Sequence, residues 1–132
     1  MFKDVWFRYP TRKEQWVLKG ISFTIKSHET VGLVGQSGSG KSTITQLIYR
    51  FYDPQFGQIF IDGVDIKQYN LHSLRACFGL VQQEPLLFNY SIRDNILYSK
   101  QDSKDEDILK ACQISNALEF INTLKISHDD IA

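Results

Sequence analysis

The sequence predicts a mixed α/β core followed by a helical segment, and three observations carry the prediction. Short runs of β-branched and aromatic residues fill the front of the chain, and a glycine-rich stretch joins one such run to a helix-like run. From Ser91 onward the apolar residues recur at helical spacing.

Each element can be justified in order. "KDVWFRY" from Lys3, "WVLKGISFTI" from Trp16 and "TVGLVG" from Thr30 combine short alternation with Gly or Pro at their ends, the pattern of strands. "GKSTITQLIYRFYD" then places Ile44, Leu47, Ile48 and Phe51 at three- and four-residue intervals, one face of a helix that stops before Pro54. "GQIFIDGVDIK" predicts a hairpin turning at Asp62-Gly63, and "NLHSLRACFGLVQQ" a short helix leading into an apolar strand. Beyond Ser91 the pairs Ser91/Asp94 and Ser103/Glu106 resemble capping boxes, with Asp105, Glu106 and Asp107 crowding the first turn of the second helix, where its dipole favours them. "NALEFINTL" suggests a third helix. The division expected is a core over residues 1–90 and a partial helical region over 91–132.

Composition narrows the function classes. The 132 residues suit one domain or a part of one, and 42% hydrophobic against 23% charged residues permits a core and argues against disorder. Fifteen basic residues offset fifteen acidic ones, so no global field favours nucleic acid or anionic lipid, and an anion site has to be local. Cys77 and Cys112 have no CxxC partner and sit in apolar patterns, which predicts buried free thiols. His28, His72 and His128 share no ligand spacing with each other or the cysteines, so they read as surface or loop residues and not as a zinc site. No stretch approaches the roughly 20 apolar residues of a membrane helix, and the N-terminus lacks a leader-like apolar run.

The chemistry concentrates in Gly35, Gln36, Ser37, Gly38, Ser39, Gly40, Lys41 and Ser42, which fit GxxxxGKS/T between a predicted strand and a predicted helix. Glycine lets the backbone approach an anion, so successive N–H groups and the helix N-terminus point at phosphate oxygens. Lys41 reaches the β- and γ-phosphates as a point charge, the Ser42 hydroxyl ligates Mg²⁺, and Thr43 adds a hydroxyl near the α-phosphate. The loop therefore predicts a nucleoside triphosphate with Mg²⁺.

The neighbouring stretches identify the kind of P-loop. "FRYPTRKEQWVLKGISFTI", "FYDPQFGQIFIDGVDI" and "LRACFGLVQQEPLLFNYSIRDNI" closely resemble the nucleotide-binding domain of ATP-binding-cassette (ABC) transporters, above all the exporter branch of multidrug and peptide transporters, from about Phe2 to Leu124. The resemblance implies a P-loop NTPase cassette core, with an antiparallel β front portion beside a parallel P-loop sheet and the start of a helical subdomain. It implies that Tyr9 is the A-loop aromatic stacking on adenine, a role a flat ring fills without hydrogen-bond readout. It makes Gln83 the Q-loop glutamine that contacts Mg²⁺ and the catalytic water, with Gln82 the competing assignment. Lys41 and Gln83 are then the catalytic candidates.

By the same resemblance, residues Gln83 to Ile92 face the transmembrane domains of the transporter. The apolar groups of "PLLFNYSI" leave two readings open, burial under the helices or a surface for another protein. The family implies a second nucleotide-binding domain in a head-to-tail dimer, a place on the cytosolic face of a membrane, and no nucleic-acid partner.

Departures from the family pattern matter equally. After "NALEFINTL" nothing resembles an LSGGQ signature, a Walker B strand ending in Asp-Glu, a D-loop or a switch histidine. Asp62 in "QIFIDG" follows an apolar run as a Walker B aspartate would, but no Glu follows it and the turn explains Asp-Gly. Asp129 and Asp130 have no apolar strand before them, and His128 lacks the context of a switch histidine. The C-terminal core strands are thus expected to be missing, leaving an unpaired edge, and the chain alone is expected to bind nucleotide with little or no turnover. Two alternatives stand beside this reading: a cassette protein without transport, against which the A-loop aromatic and "QQEPLLFNYSIRDNI" argue, and a P-loop kinase or GTPase, against which the absence of NKxD argues.

Overall fold

The computed structural model describes residues 1–123. It divides into two compact units, Met1–Leu80 and Val81 onward, each treated by itself.

The first unit is built on a four-stranded antiparallel sheet. Strands β1 (Phe2–Phe7), β2 (Leu18–Phe23), β3 (Phe56–Ile61) and β4 (Val64–Asp65) lie in the order β2-β1-β3-β4. Phe2 faces Phe23 and Phe7 faces Leu18 on one side of β1; on the other, Phe2 faces Ile59 and Trp6 faces Phe56. Register breaks on both sides of β1 around Asp4, whose φ is 47°. That bulge inserts one residue, so Phe2, Val5 and Phe7 all turn inward although their spacing is three and then two. The predicted hairpin joins β3 to β4: Asp62 and Gly63, at φ 49° and 81°, form the two-residue left-handed turn that Asp-Gly favours.

Helix α1 (Lys41–Ile48) lays Leu47, fully buried, into a core of Phe2, Val5, Phe7, Leu18, Ile59, Ile66 and Leu74, with Ile44 and Ile48 half-buried against it. Burying one such leucine contributes about 1.5–3 kcal/mol. The helix is shorter than its periodicity predicts. Arg50 turns left-handed at φ 50°, so Phe51 leaves the apolar face and is exposed, stacked on Tyr49 with the Arg75 guanidinium over its ring. Helix α2 (Leu71–Ala76) is capped by Asn70, whose side chain accepts from the N–H groups of His72 and Ser73. Arg75 on this helix donates to the carbonyls of Tyr49, the C-cap of α1, and of Arg50 just beyond it, and so places a cation at the negative end of α1.

Two expected strands do not form. The segments around Val31–Val34 and Gly79–Val81 carry no ladder among the described residues, and Val34 and Val81 are each 98% exposed. A parallel strand has no tight-turn neighbour and needs partners distant in sequence. The described residues place none beside these segments, so the parallel P-loop sheet is not present in them. Cys77 is another correction. It lies past the end of α2, off the face that Leu74 buries, and is exposed, its thiol donating to the Ser73 carbonyl. Cys112 is buried as expected, and His28 and His72 are exposed.

The second unit is helical: α3 (Ile92–Leu97), α4 (Asp105–Ile114) and α5 (Leu118–Thr123) pack Ile108, Cys112 and Ile121 into a small core. Ser91 caps α3, accepting from the Asp94 N–H and donating to its carboxylate. The cap of α4 falls one residue later than the sequence pattern suggests. Lys104 occupies the N-cap and the Asp107 carboxylate accepts from its N–H, so Asp107 and not Glu106 closes the turn. Asp129, Asp130 and His128 lie outside the described residues.

Candidate nucleotide site

Strand β1 runs out at the buried Phe7, and Tyr9, two residues on, stays on the same side of the chain. Its ring is half-buried, edge-on to Phe7 at 5.0 Å and to Tyr52 at 5.3 Å between centroids. The Gln55 side chain pins the backbone here like one more rung of the sheet, accepting from the Arg8 N–H and donating to the Arg8 carbonyl. Beyond Tyr9 the chain turns through Arg12 and Gln15 and returns at Val17, whose N–H donates to the Phe7 carbonyl.

The loop from Gly35 to Gly40 brings the N-terminus of α1 to the same place. Gly40 is the N-cap, at φ 94°, and offers no side-chain cap, so the first N–H groups of α1 are open to an anion. A Cβ at Gly40 would stand 2.7 Å from Leu18 Cδ2, so the residue is required both by its left-handed backbone and by the close approach of α1 to β2. Lys41 folds back over the loop: its Nζ donates to the Gly35 carbonyl at 2.7 Å and to the Gln36 carbonyl at 2.8 Å.

Together these residues border a cavity of about 590 Å³. Ser37, Gly38, Gly40, Lys41, Ser42 and Thr43 line one part of it, and Tyr9, Arg12, Gln15 and Val17 the rest. Of the residues nominated from the sequence, the structure therefore gathers Tyr9, Ser37, Gly38, Gly40, Lys41, Ser42 and Thr43 around one space. Gly35 and Gln36 hold the lysine from behind through their carbonyls, and Ser39 N–H donates to the Gln36 carbonyl. Gln83 and its rival Gln82 are exposed in an irregular stretch of the second unit.

Thr43 is the residue whose surroundings differ most from expectation. It is 4% exposed, and its Oγ1 lies 2.9 Å from the Tyr9 hydroxyl, which also donates to Gln46 Oε1 at 2.8 Å. Sequence reasoning missed Gln46, because a glutamine inside a helix pattern gives no sign of where it reaches. It also passed over Arg12 and Gln15, which lie in a short turn whose sequence carries no phosphate motif.

A second cavity of about 590 Å³ opens in the helical unit, lined by Leu87, Phe88, Tyr90, Ile92 and Asn95 from one stretch and by Ala111, Cys112, Phe120 and Ile121 from another, among others. Its walls are almost wholly apolar. The Asn95 amide is spent on the Phe88 N–H and on the carbonyls of Phe88, Tyr90 and Ser91, while the Ser115 hydroxyl donates to the Cys112 carbonyl. Of the two readings of "PLLFNYSI", simple burial fails for Leu86 and Leu87, which are 86% and 82% exposed. Among the described residues, no group of three or more His, Cys, Asp or Glu side chains could hold a metal, and no helix is long and apolar enough to cross a membrane.

The family profile described as "ABC transporter" matches residues 18–130. "ABC transporter B family member 21" of Arabidopsis thaliana is 50% identical over 121 residues, covering 92% of this chain and 9% of that protein. "Multidrug resistance protein 4" of Entamoeba histolytica is 49% identical over 126 residues, covering 93% of this chain and 10% of that protein. "ABC transporter B family member 2" of Dictyostelium discoideum is 43% identical over 128 residues, covering 97% and 9%. The chain thus spans about a tenth of the length of these curated relatives.

Proposed function

Since this chain belongs to the ABC transporter family, we propose that its glycine-rich loop binds ATP with Mg²⁺ and that, in the polypeptide carrying it, hydrolysis at this site drives transport of a substrate across a membrane. The observation that carries the reading is the convergence of the Lys41 ammonium, the uncapped start of α1 and the Tyr9 ring on one cavity.

The phosphates lie against the loop, where the first N–H groups of α1 and the Lys41 ammonium meet their charge. Lys41 exchanges one or both of its carbonyl partners for phosphate oxygens, a stronger bond because both partners are charged. The Ser42 hydroxyl, an exposed oxygen donor on the cavity wall, suits the hard Mg²⁺ ion, which neutralises charge on the β- and γ-phosphates when bound. Adenine packs on the ring of Tyr9. Gln83 is the group we assign to the metal and the attacking water.

The remaining roles belong to the assembled transporter. The stretch from Gln83 to Ile92, whose Leu86, Leu87, Phe88 and Tyr90 are exposed, is with the apolar cavity beside Phe88 the surface on which the transmembrane domains rest, at the cytosolic face of the membrane. A second nucleotide-binding domain, packed head to tail, completes each site. This sequence contains neither a Walker B Asp-Glu pair nor a signature motif, so the chain alone holds nucleotide with little or no turnover. Fluorescent-ATP binding measured beside Mg²⁺-dependent hydrolysis, for the chain and for Lys41→Ala, tests this. Binding lost on substitution without turnover in either protein supports it, whereas turnover abolished by Lys41→Ala would show that a carboxylate in this chain, Asp62 first, completes the site.

A further inference from the structure

We infer that Gln46 is a positioning residue for nucleotide, holding the base platform at a fixed place relative to the phosphate loop. The inference rests on the nucleotide reading above and concerns how its two ends are joined.

Tyr9 and the phosphate loop come from distant parts of the chain, and the backbone between them runs through β2 and a long exposed segment without regular structure. Nothing in the β1 backbone itself fixes where the Tyr9 ring stands relative to α1. The connection is made by side chains. Thr43 and Gln46 are three residues apart and share a face of α1, and both meet the Tyr9 hydroxyl, at 2.9 and 2.8 Å. Gln46 Oε1 has no proton, so the phenol donates to it; the Thr43 hydroxyl is then free to donate to the phenol oxygen. The hydroxyls and the amide form one directed chain, Thr43 to Tyr9 to Gln46.

Burial makes this chain hard to replace. Thr43 is almost fully shielded, and Tyr9 and Gln46 are half-buried, so water is a poor substitute for either partner. The ring edge is braced by Phe7 and Tyr52, which limit its tilt without setting its reach towards α1. Gln46 itself does not line the cavity, which separates it from the groups that touch ligand. Removing the acceptor leaves the loop and its lysine in place and frees the ring to shift, and the affinity affected is the part contributed by the base.

The test compares ATP with inorganic tripolyphosphate, which has the phosphates and no base, by calorimetry on the intact polypeptide that contains this chain. Gln46→Met keeps the side-chain length and removes the acceptor; Tyr9→Phe keeps the ring and removes the donor. Each variant is expected to weaken ATP binding about threefold to tenfold, the worth of one shielded hydrogen bond, with tripolyphosphate binding unchanged. The double variant is expected to bind ATP no worse than the weaker single variant, because both break the same link. Retained tripolyphosphate binding also certifies that the loop is folded. Equal loss for both ligands, additive effects, or unchanged ATP binding would overturn the inference. If instead Lys41→Ala leaves both ligands bound as in the parent, the nucleotide reading fails, an outcome separable from failure of the Gln46 link.

Discussion

The two cavities have the same volume, about 590 Å³ each, and the first carries the more polar wall. Around the first, an ammonium, a guanidinium and three hydroxyl groups come from Lys41, Arg12, Ser37, Ser42 and Thr43. Around the second, the few polar groups are already saturated by their own backbone, so what remains is hydrocarbon and aromatic surface. Size therefore decides nothing about occupancy. A cavity bordered by an ammonium held only by exchangeable neutral carbonyls suits an anion, and one whose polar groups are tied to backbone suits apolar side chains.

A methyl group at Gly40 should break the first cavity most severely. Gly40→Ala forces a left-handed alanine and pushes a Cβ towards Leu18, and the two costs together are about 2–4 kcal/mol. Trp6 and Trp16 both lie in the first unit, so their fluorescence in a denaturant titration reads its stability selectively. Next in size, Lys41→Ala should lower ATP affinity about tenfold to a hundredfold while leaving uptake of an apolar dye by the second cavity unchanged. A smaller and opposite change is expected from Phe120→Ala, which should weaken dye binding about threefold with ATP binding intact, since this ring is 62% exposed and carries little of the core. Smallest of all, Asp62→Asn should shift stability by no more than about 0.5 kcal/mol and leave nucleotide binding untouched, because asparagine also tolerates the left-handed turn. A Mg²⁺-dependent loss of binding in that variant would return Asp62 to the site.

What the sequence made legible follows the same division between local and distant causes. The Asp62-Gly63 turn, the Ser91 cap and the phosphate loop are written in residues close along the chain, and the alternation of β1, β2 and β3 marks strands that find their partners, although β3 reaches β1 from far along the chain. The strand expected at Thr30–Gly35 and the one expected at the end of "NLHSLRACFGLVQQ" show similar apolar runs, but no described residue pairs with them, and a local pattern cannot supply a partner. The end of α1 is not legible in the spacing, because apolar residues continue to Phe51 after Arg50 has already turned the backbone. At the site, the motif announced Lys41 and Ser42, whereas the reach of Gln46 to Tyr9 exists only once β1 and α1 are brought side by side.

The lysine clasp has a consequence for how the site responds to its medium. Among the described residues, the partners of Lys41 are neutral carbonyl oxygens and not a carboxylate. An arriving phosphate therefore displaces no resident counter-charge, and the exchange releases no carboxylate that would need water or a proton. Added salt should therefore weaken binding through screening of the ligand's charge rather than by competing for an ion pair of Lys41.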